Sequence, residues 1–261
     1  MLAPLLDPCY KMLRMEFVWV VPRARLFPEA AFHGYLPLHP AEHESNFLAV
    51  ARAEGFFQER RYAETHPEFK QIIPYVIVRR GRELLCLTRL QTQSEKRLHG
   101  RRSIGVGGHI NPCDAPAQPG EDLFRNACVR ELREELELPP GALPLTPLGL
   151  LNDDSTDVGA VHVGLVYRLD AEDLPVAIRE TSAMTGRFEP LHALEAAAAA
   201  ADSAFESWSA LLLRSGALAR LDAPHSSIPI PTSAYPAEAT EPWFVPQTTR
   251  NLPRSSKSSR A

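Results

Sequence analysis

Apolar positions fall in short blocks separated by turn residues, and the spacing within each block sets the predicted element. Phe17–Val21 is a five-residue apolar run that reads as a buried strand ended by Pro22. Between residues 23 and 70 the turn signals Pro28, Gly34, Pro37 and Pro40 surround one helix-like stretch, Glu42–Glu54, closed by Gly55. Ile72–Val78 and Leu84–Leu90 are β-rich runs joined by Arg79-Arg80-Gly81-Arg82, a hairpin signature. Ser103–Ile110 predicts a strand running into a Gly pair, and residues 111–120 are a loop on turn chemistry. Glu121–Leu138 predicts the longest helix, with acids in its first turn and Pro139-Pro140-Gly141 as a stop. Leu145–Leu151 and Val158–Leu169 predict strands, Phe188 lies in another, and the Ala-rich Ala193–Leu218 predicts a C-terminal helix. Past residue 222 the chain is rich in Pro, Ser and Thr without periodicity, the mark of a disordered tail.

This order gives an α+β fold with a mixed sheet between helices. The expected organisation is an N-terminal extension over 1–70 packed on the core, a core domain over 71–221 and a tail over 222–261. Composition adds little: 44% hydrophobic and 23% charged residues are ordinary for a globular protein. The net charge of -4 gives no general attraction to nucleic acid or to anionic membrane. No apolar stretch reads as a membrane span or a signal peptide. Cys9, Cys86, Cys113 and Cys128 are widely spaced with no C-x-x-C pair, so a disulfide framework is not expected and a reducing cytoplasm fits. Met12 and Met15 precede the first strand, which suggests that residues 1–14 are an over-long start.

Candidate chemistry sits on the long helix. Glu131, Glu134 and Glu135 stand at i, i+3 and i+4, so their carboxylates leave one helical face and repel one another. A hard divalent cation would resolve that repulsion. Val129, Leu132 and Leu136 provide an anchoring face. By itself the pattern also describes an ordinary charged helix with Arg130–Glu134 and Arg133–Glu137 pairs.

The upstream context changes the balance. Ile104-Gly105-Val106-Gly107-Gly108-His109-Ile110 leads through the loop into Arg130-Glu131-Leu132-Arg133-Glu134-Glu135, and together these resemble the Nudix box. That pattern is Gly, five residues, Glu, seven residues, then Arg-Glu-aliphatic-x-Glu-Glu-x-Gly-aliphatic. Counting back from Arg130 puts Asp122, with Glu121 adjacent, where the first Glu belongs, and leaves eight extra residues between Gly108 and that acid. Glu137 replaces the final Gly, and Pro139-Pro140-Gly141 is expected to stop the helix one turn later. The resemblance spans about residues 70–215 and implies a Nudix-like α/β/α sandwich.

It also implies a metal-dependent hydrolase cleaving a diphosphate linkage in a nucleoside diphosphate derivative or related small molecule. Mg²⁺ or Mn²⁺ would be held by Glu131, Glu134, Glu135 and the carbonyl of Gly108, with Glu131 sharing a metal or polarising water. Arg130 would orient the glutamates. Glu180, then Asp153 and Asp154, are candidates for a further acid, and Lys96, Arg97, Arg101 and Arg102 for phosphate contacts. Arg60, Arg61 and Tyr62 are candidates for shaping a pocket, and His162 reads as a strand residue. His99, His109 and Cys113 lack the spacing of a closed zinc site. Three other readings stand beside hydrolysis. A nucleotide-binding module would be expected to have damaged box glutamates. An isopentenyl-diphosphate isomerase-like enzyme would need better-placed cysteines than Cys86 and Cys128. A scaffold using the C-terminal helix leaves the glutamate face unexplained. The sequence leaves a homodimer open.

Overall fold

The computed structural model describes residues 15–38, 46–90, 100–179 and 181–220. Residues 1–14, read from the sequence as an over-long start, the region past residue 222 read as a tail, Pro40, Lys96, Arg97, His99 and Glu180 lie outside the described residues. The elements in chain order are β1 (Phe17–Pro22), α1 (Arg23–Leu26), β2 (Gly34–Pro37), α2 (Asn46–Ala53), β3 (Phe56–Glu59), α3 (Arg60–Ala63), β4 (Phe69–Arg80), β5 (Glu83–Arg89), β6 (Arg102–Ser103) and β7 (Gly105–Gly107). There follow α4 (Leu123–Glu135), β8 (Leu136–Glu137), β9 (Leu145–Asn152), α5 (Asp157–Ala160), β10 (His162–Asp170), β11 (Ala177–Ile178), β12 (Met184–Pro190), α6 (Leu191–Ala199), α7 (Ser207–Arg214) and α8 (Ala217–Arg220).

β4 is the axis of a ten-stranded mixed sheet. One of its edges pairs in parallel with β10 from Gln71–His162 to Arg79–Asp170. The other is shared in succession by β1 at Phe69–Gln71, β7 at Tyr75–Ile77 and β5 at Arg79–Arg80. The predicted hairpin therefore forms, with Gly81 at φ 54° in its turn, but β4 and β5 pair only near that turn. Beyond it β5 pairs with β12 and β6. Alternation along β4 divides the core between two faces. Ile72, Val76 and Val78 join Phe124, Ala127, Cys128 and Leu132 of α4 on one face. Tyr75 and Ile77 join Leu194, Leu212, Leu213 and Leu218 of the terminal helices on the other. The result is the α+β, α/β/α layering of a mixed sheet. The segment before residue 70 supplies strands to this sheet, since β2 also pairs with β9.

Four predicted boundaries shift. The long helix ends at Glu135: Leu136, at φ -120° and ψ 147°, is extended, buried and paired with Ile178. β11 thus stops the helix, and the Pro139-Pro140-Gly141 stop comes after it. The Ser103–Ile110 strand breaks at Ile104, because β6 pairs with β5 whereas β7 pairs with β4. The Val158–Leu169 strand begins at His162, since Thr156 caps a one-turn helix by accepting from the Gly159 amide at 3.0 Å. The single C-terminal helix is three, interrupted where Phe205 enters the core and Arg102 bonds to the main chain of Ala204 and Glu206.

Candidate active site

The site is assembled where β7 ends against α4. Gly107 lies in the β4–β7 pairing, where a Cβ would fall on the carbonyl of Pro74. At Gly108 a Cβ would stand 2.5 Å from Oε1 of Glu131, so the absent side chain leaves the space that the Glu131 carboxylate fills. The sequence of two glycines thus serves two separate close approaches, one to a strand and one to the helix.

Arg130 organises the rest. Its Nε and Nη2 donate to the two oxygens of Asp114 at 2.8 and 2.9 Å, a bidentate pair. Nη1 donates to Glu131 at 2.7 Å and to Glu134 at 3.2 and 3.3 Å, and Nη2 also donates to the carbonyl of His109 at 2.7 Å. One guanidinium therefore ties the loop after β7 to two glutamates of the helix. Asp114 is fixed in turn by the Asn111 amide, which donates to its Oδ2 at 2.8 Å within a short 3-10 turn, Pro112–Asp114.

The structure brings Asp114, rather than Asp122 or Glu121, against Arg130. Asp122 is the N-cap of α4, accepting from the Arg125 amide at 2.9 Å and pairing with Arg52. Glu121 accepts from the amides of Ala117 and Gln118. Neither meets Arg130. Asp114 does, and it follows Gly108 after five residues, the spacing the box requires. The eight extra residues therefore lie between this acid and the helix. The turn signature Asn111-Pro112-x-Asp114, a cap residue with an acid three positions on, was the signal in the sequence.

Burial pushes the Glu131 carboxyl above its ordinary range, and Glu134 and Asp114 push it further, against the opposing effect of Arg130. Glu134 is more exposed, with 56% of its side chain accessible. Glu135 is half-buried, and its carbonyl accepts from the Arg179 amide at 2.9 Å. Among the described residues no three carboxylate, His or Cys groups are already gathered as a metal cage. The donors are nevertheless the oxygens that a hard cation takes, and the raised Glu131 is the acid that a divalent ion would relieve. The residues fit Mg²⁺ or Mn²⁺.

Other predicted residues are drawn elsewhere. Arg102 donates to Glu189 at 2.8 Å and to Cys86 Sγ at 3.2 Å and lies over the Phe205 ring, so its charge is already engaged. Arg101 bonds to the carbonyl of Ser203. Asp153 accepts from Ser155, and Asp154 pairs with Arg23 and with the fully buried Lys70. Cys128 is sealed in the core, where burial raises its thiol, and Cys86 is buried too. Arg60 is held by Glu16 and Glu64, Arg61 is exposed, and Tyr62 stacks on His66 at 3.6 Å. A feature the sequence did not show is the meeting of His109 with His162, Nε2 to Nε2, at 3.3 Å.

No family model matches the chain. A relative, Protein YmaB of Bacillus subtilis (strain 168), is 34% identical over 179 residues, 66% of this chain and 84% of that protein. In structure the chain is similar to Tm1382, put forward as a Nudix hydrolase, with a TM-score of 0.60 and 27% identity over 77% of this chain and 97% of the other. The chain belongs to the Nudix superfamily. A Nudix hydrolase from Alicyclobacillus acidocaldarius is more distant, with 12% identity, a TM-score of 0.43 and coverage of 57% and 91%. In this chain Arg130, Glu131, Glu134 and Glu135 lie on α4, Gly108 abuts Glu131, and Asp114 bonds to Arg130. The class of protein supported is a hydrolase of the Nudix type. No helix among the described residues is long and apolar enough to cross a membrane.

Proposed function

We propose that this protein is a divalent-metal-dependent pyrophosphohydrolase acting on a nucleoside diphosphate derivative or a related small molecule. The observation that carries the reading is the Arg130 hub, which holds Glu131 against Gly108 and draws Glu134 alongside. Mg²⁺ or Mn²⁺ bound there would neutralise charge on the phosphoryl oxygens and acidify an attacking water. Glu131, Glu134, Glu135 and the carbonyl of Gly108 would hold it. Arg130, anchored by Asp114, keeps the carboxylates oriented, an indirect role of the kind that outer-shell partners of metal ligands play. The free Cys86, Cys113 and Cys128 suit a reducing cytoplasm.

The test is phosphate release from a panel of nucleoside diphosphate derivatives with Mg²⁺ or Mn²⁺, comparing the wild type with Glu134→Gln. The variant keeps its size and its bond to Arg130 but loses the charge. Its kcat should fall by about a hundredfold or more at unchanged folding. Release that needs no metal, or that survives the substitution, would sink the mechanism. Metal binding without turnover on any member would favour a nucleotide-binding module.

A further inference from the structure

A groove runs beside the C-terminal end of α4, and the pairing of two short strands places an arginine in it. β11 pairs with β8 at Ala177–Glu137 and Ile178–Leu136, and the Arg179 amide continues the ladder by donating to the Glu135 carbonyl at 2.9 Å. That bond satisfies one of the carbonyls a helix leaves open at its end. Alternation then divides the side chains. Leu136 and Ile178 pack with the core, whereas Glu137, Ala177 and Arg179 are exposed and line a groove of about 600 Å³. Leu138 and Val176 give it apolar wall, and Arg80 lines it too. Two guanidiniums thus stand against one carboxylate.

The two arginines differ in what already holds them. Arg80 donates to the carbonyls of Ala171 at 3.3 Å and Leu174 at 3.1 Å and lies over the Phe188 ring, 4.2 Å from its centroid. Its guanidinium is occupied in fixing the chain between β10 and β11. The arginines of α4 are occupied as well, Arg130 by carboxylates and Arg125 and Arg133 by main-chain carbonyls. Among the described residues the Arg179 guanidinium makes one long contact, Nη2 to the Leu136 carbonyl at 3.5 Å, and no ion pair. Its main chain is fixed one hydrogen bond from Glu135, while its side chain is available. A guanidinium takes phosphate oxygens in pairs, through two parallel N–H bonds. Arg101 and Arg102, the described arginines expected from the sequence to contact phosphate, are engaged elsewhere, which leaves that role open.

We propose that Arg179 is a substrate-binding residue whose guanidinium takes the oxygens of the diphosphate at the mouth of this groove. The proposal rests on the diphosphate-cleaving reading, in which Glu135 helps to hold the metal that meets the same diphosphate.

Two measurements on the full chain test it. Calorimetric titration with methylenediphosphonate in Mg²⁺, a diphosphate core that resists hydrolysis, should show binding weakened about tenfold or more in Arg179→Gln. Arg179 is exposed, so the variant should keep the thermal transition of the wild type. In turnover of the panel member cleaved fastest, Arg179→Gln should raise KM by about tenfold and leave kcat within about threefold. That split marks an interaction made equally in the ground and transition states. A fall in kcat at unchanged KM would overturn the assignment, because β11 would then act through the placement of Glu135. Methylenediphosphonate that binds wild type and variant alike, or neither, overturns it too. Metal-dependent turnover of the panel by the wild type then leaves the diphosphate reading standing, and without such turnover on any member both fall.

Discussion

At the scale of single residues, the two glycines before the helix separate folding from chemistry. A Cβ at Gly107 would meet the main chain of Pro74, and neither strand can give way without losing the β4–β7 pairing. Gly107→Ala should therefore fail to fold, seen as loss of soluble protein or of a cooperative thermal transition. The nearest atoms a Cβ at Gly108 would meet are the end of the Glu131 side chain, which can swing aside at a cost of about 1 kcal/mol. Gly108→Ala should accordingly stay folded yet lose at least about tenfold in kcat, because displacing a positioned carboxylate by an ångström is costly to catalysis. Equal effects of the two substitutions on folding would show that Gly108 has no role in placing Glu131.

At the scale of elements, α4 carries two acids near its start that sequence counting cannot rank. Asp122 caps the helix, and Asp114 grips Arg130. Asp122→Ala should lower stability by about 1 kcal/mol with kcat nearly unchanged, apart from the lost pair with Arg52. Asp114→Asn should lower stability by about 2 kcal/mol and lower kcat as well, because Arg130 loses one of its charged bonds and with it the hold on Glu131. Urea denaturation and phosphate release on the same two variants check both halves. The comparison also shows what the chain made legible. The glutamate triad, its Arg and the Gly pair were readable because helical spacing and a strand end fix them locally. The side of the first acid on which the extra loop residues fall was not, because the Asp114–Arg130 bond spans sixteen positions and only the folded loop brings them together. The extent of α4 is not legible for a similar reason: pairing of Leu136 with Ile178, far along the chain, ends it before any local stop. The four-residue strands β2 and β3 lacked enough alternation to stand out from the turns around them.

At the scale of the whole molecule, the buried polar groups set how stability responds to acid. His109 and His162 are both held below the ordinary histidine value of 6.5 by burial, with nearby cations adding to the shift, and His109 is brought down to about 3. An unfolded chain takes up protons on these rings near pH 6.5, whereas the folded chain resists doing so. The stability they contribute is complete above pH 6.5 and drains away as pH falls through the folded values. Asp154 acts lower on the scale: burial opposes ionisation, but hydrogen bonds from Arg23 and Lys70 outweigh it and hold the carboxyl at about 2. Its contribution is present above its ordinary value of 3.8 and is lost between there and about 2. The full chain should therefore begin to lose stability well before its carboxylates titrate, with a first decline setting in below pH 6.5 and a steeper one below pH 4. Urea midpoints measured across this range should show the first decline weakened in His162→Gln, which cannot be protonated, and the second weakened in Asp154→Asn. A wild-type midpoint that stays flat from pH 7 to pH 5 would mean that His109 and His162 take up protons in the folded chain as readily as in the unfolded one.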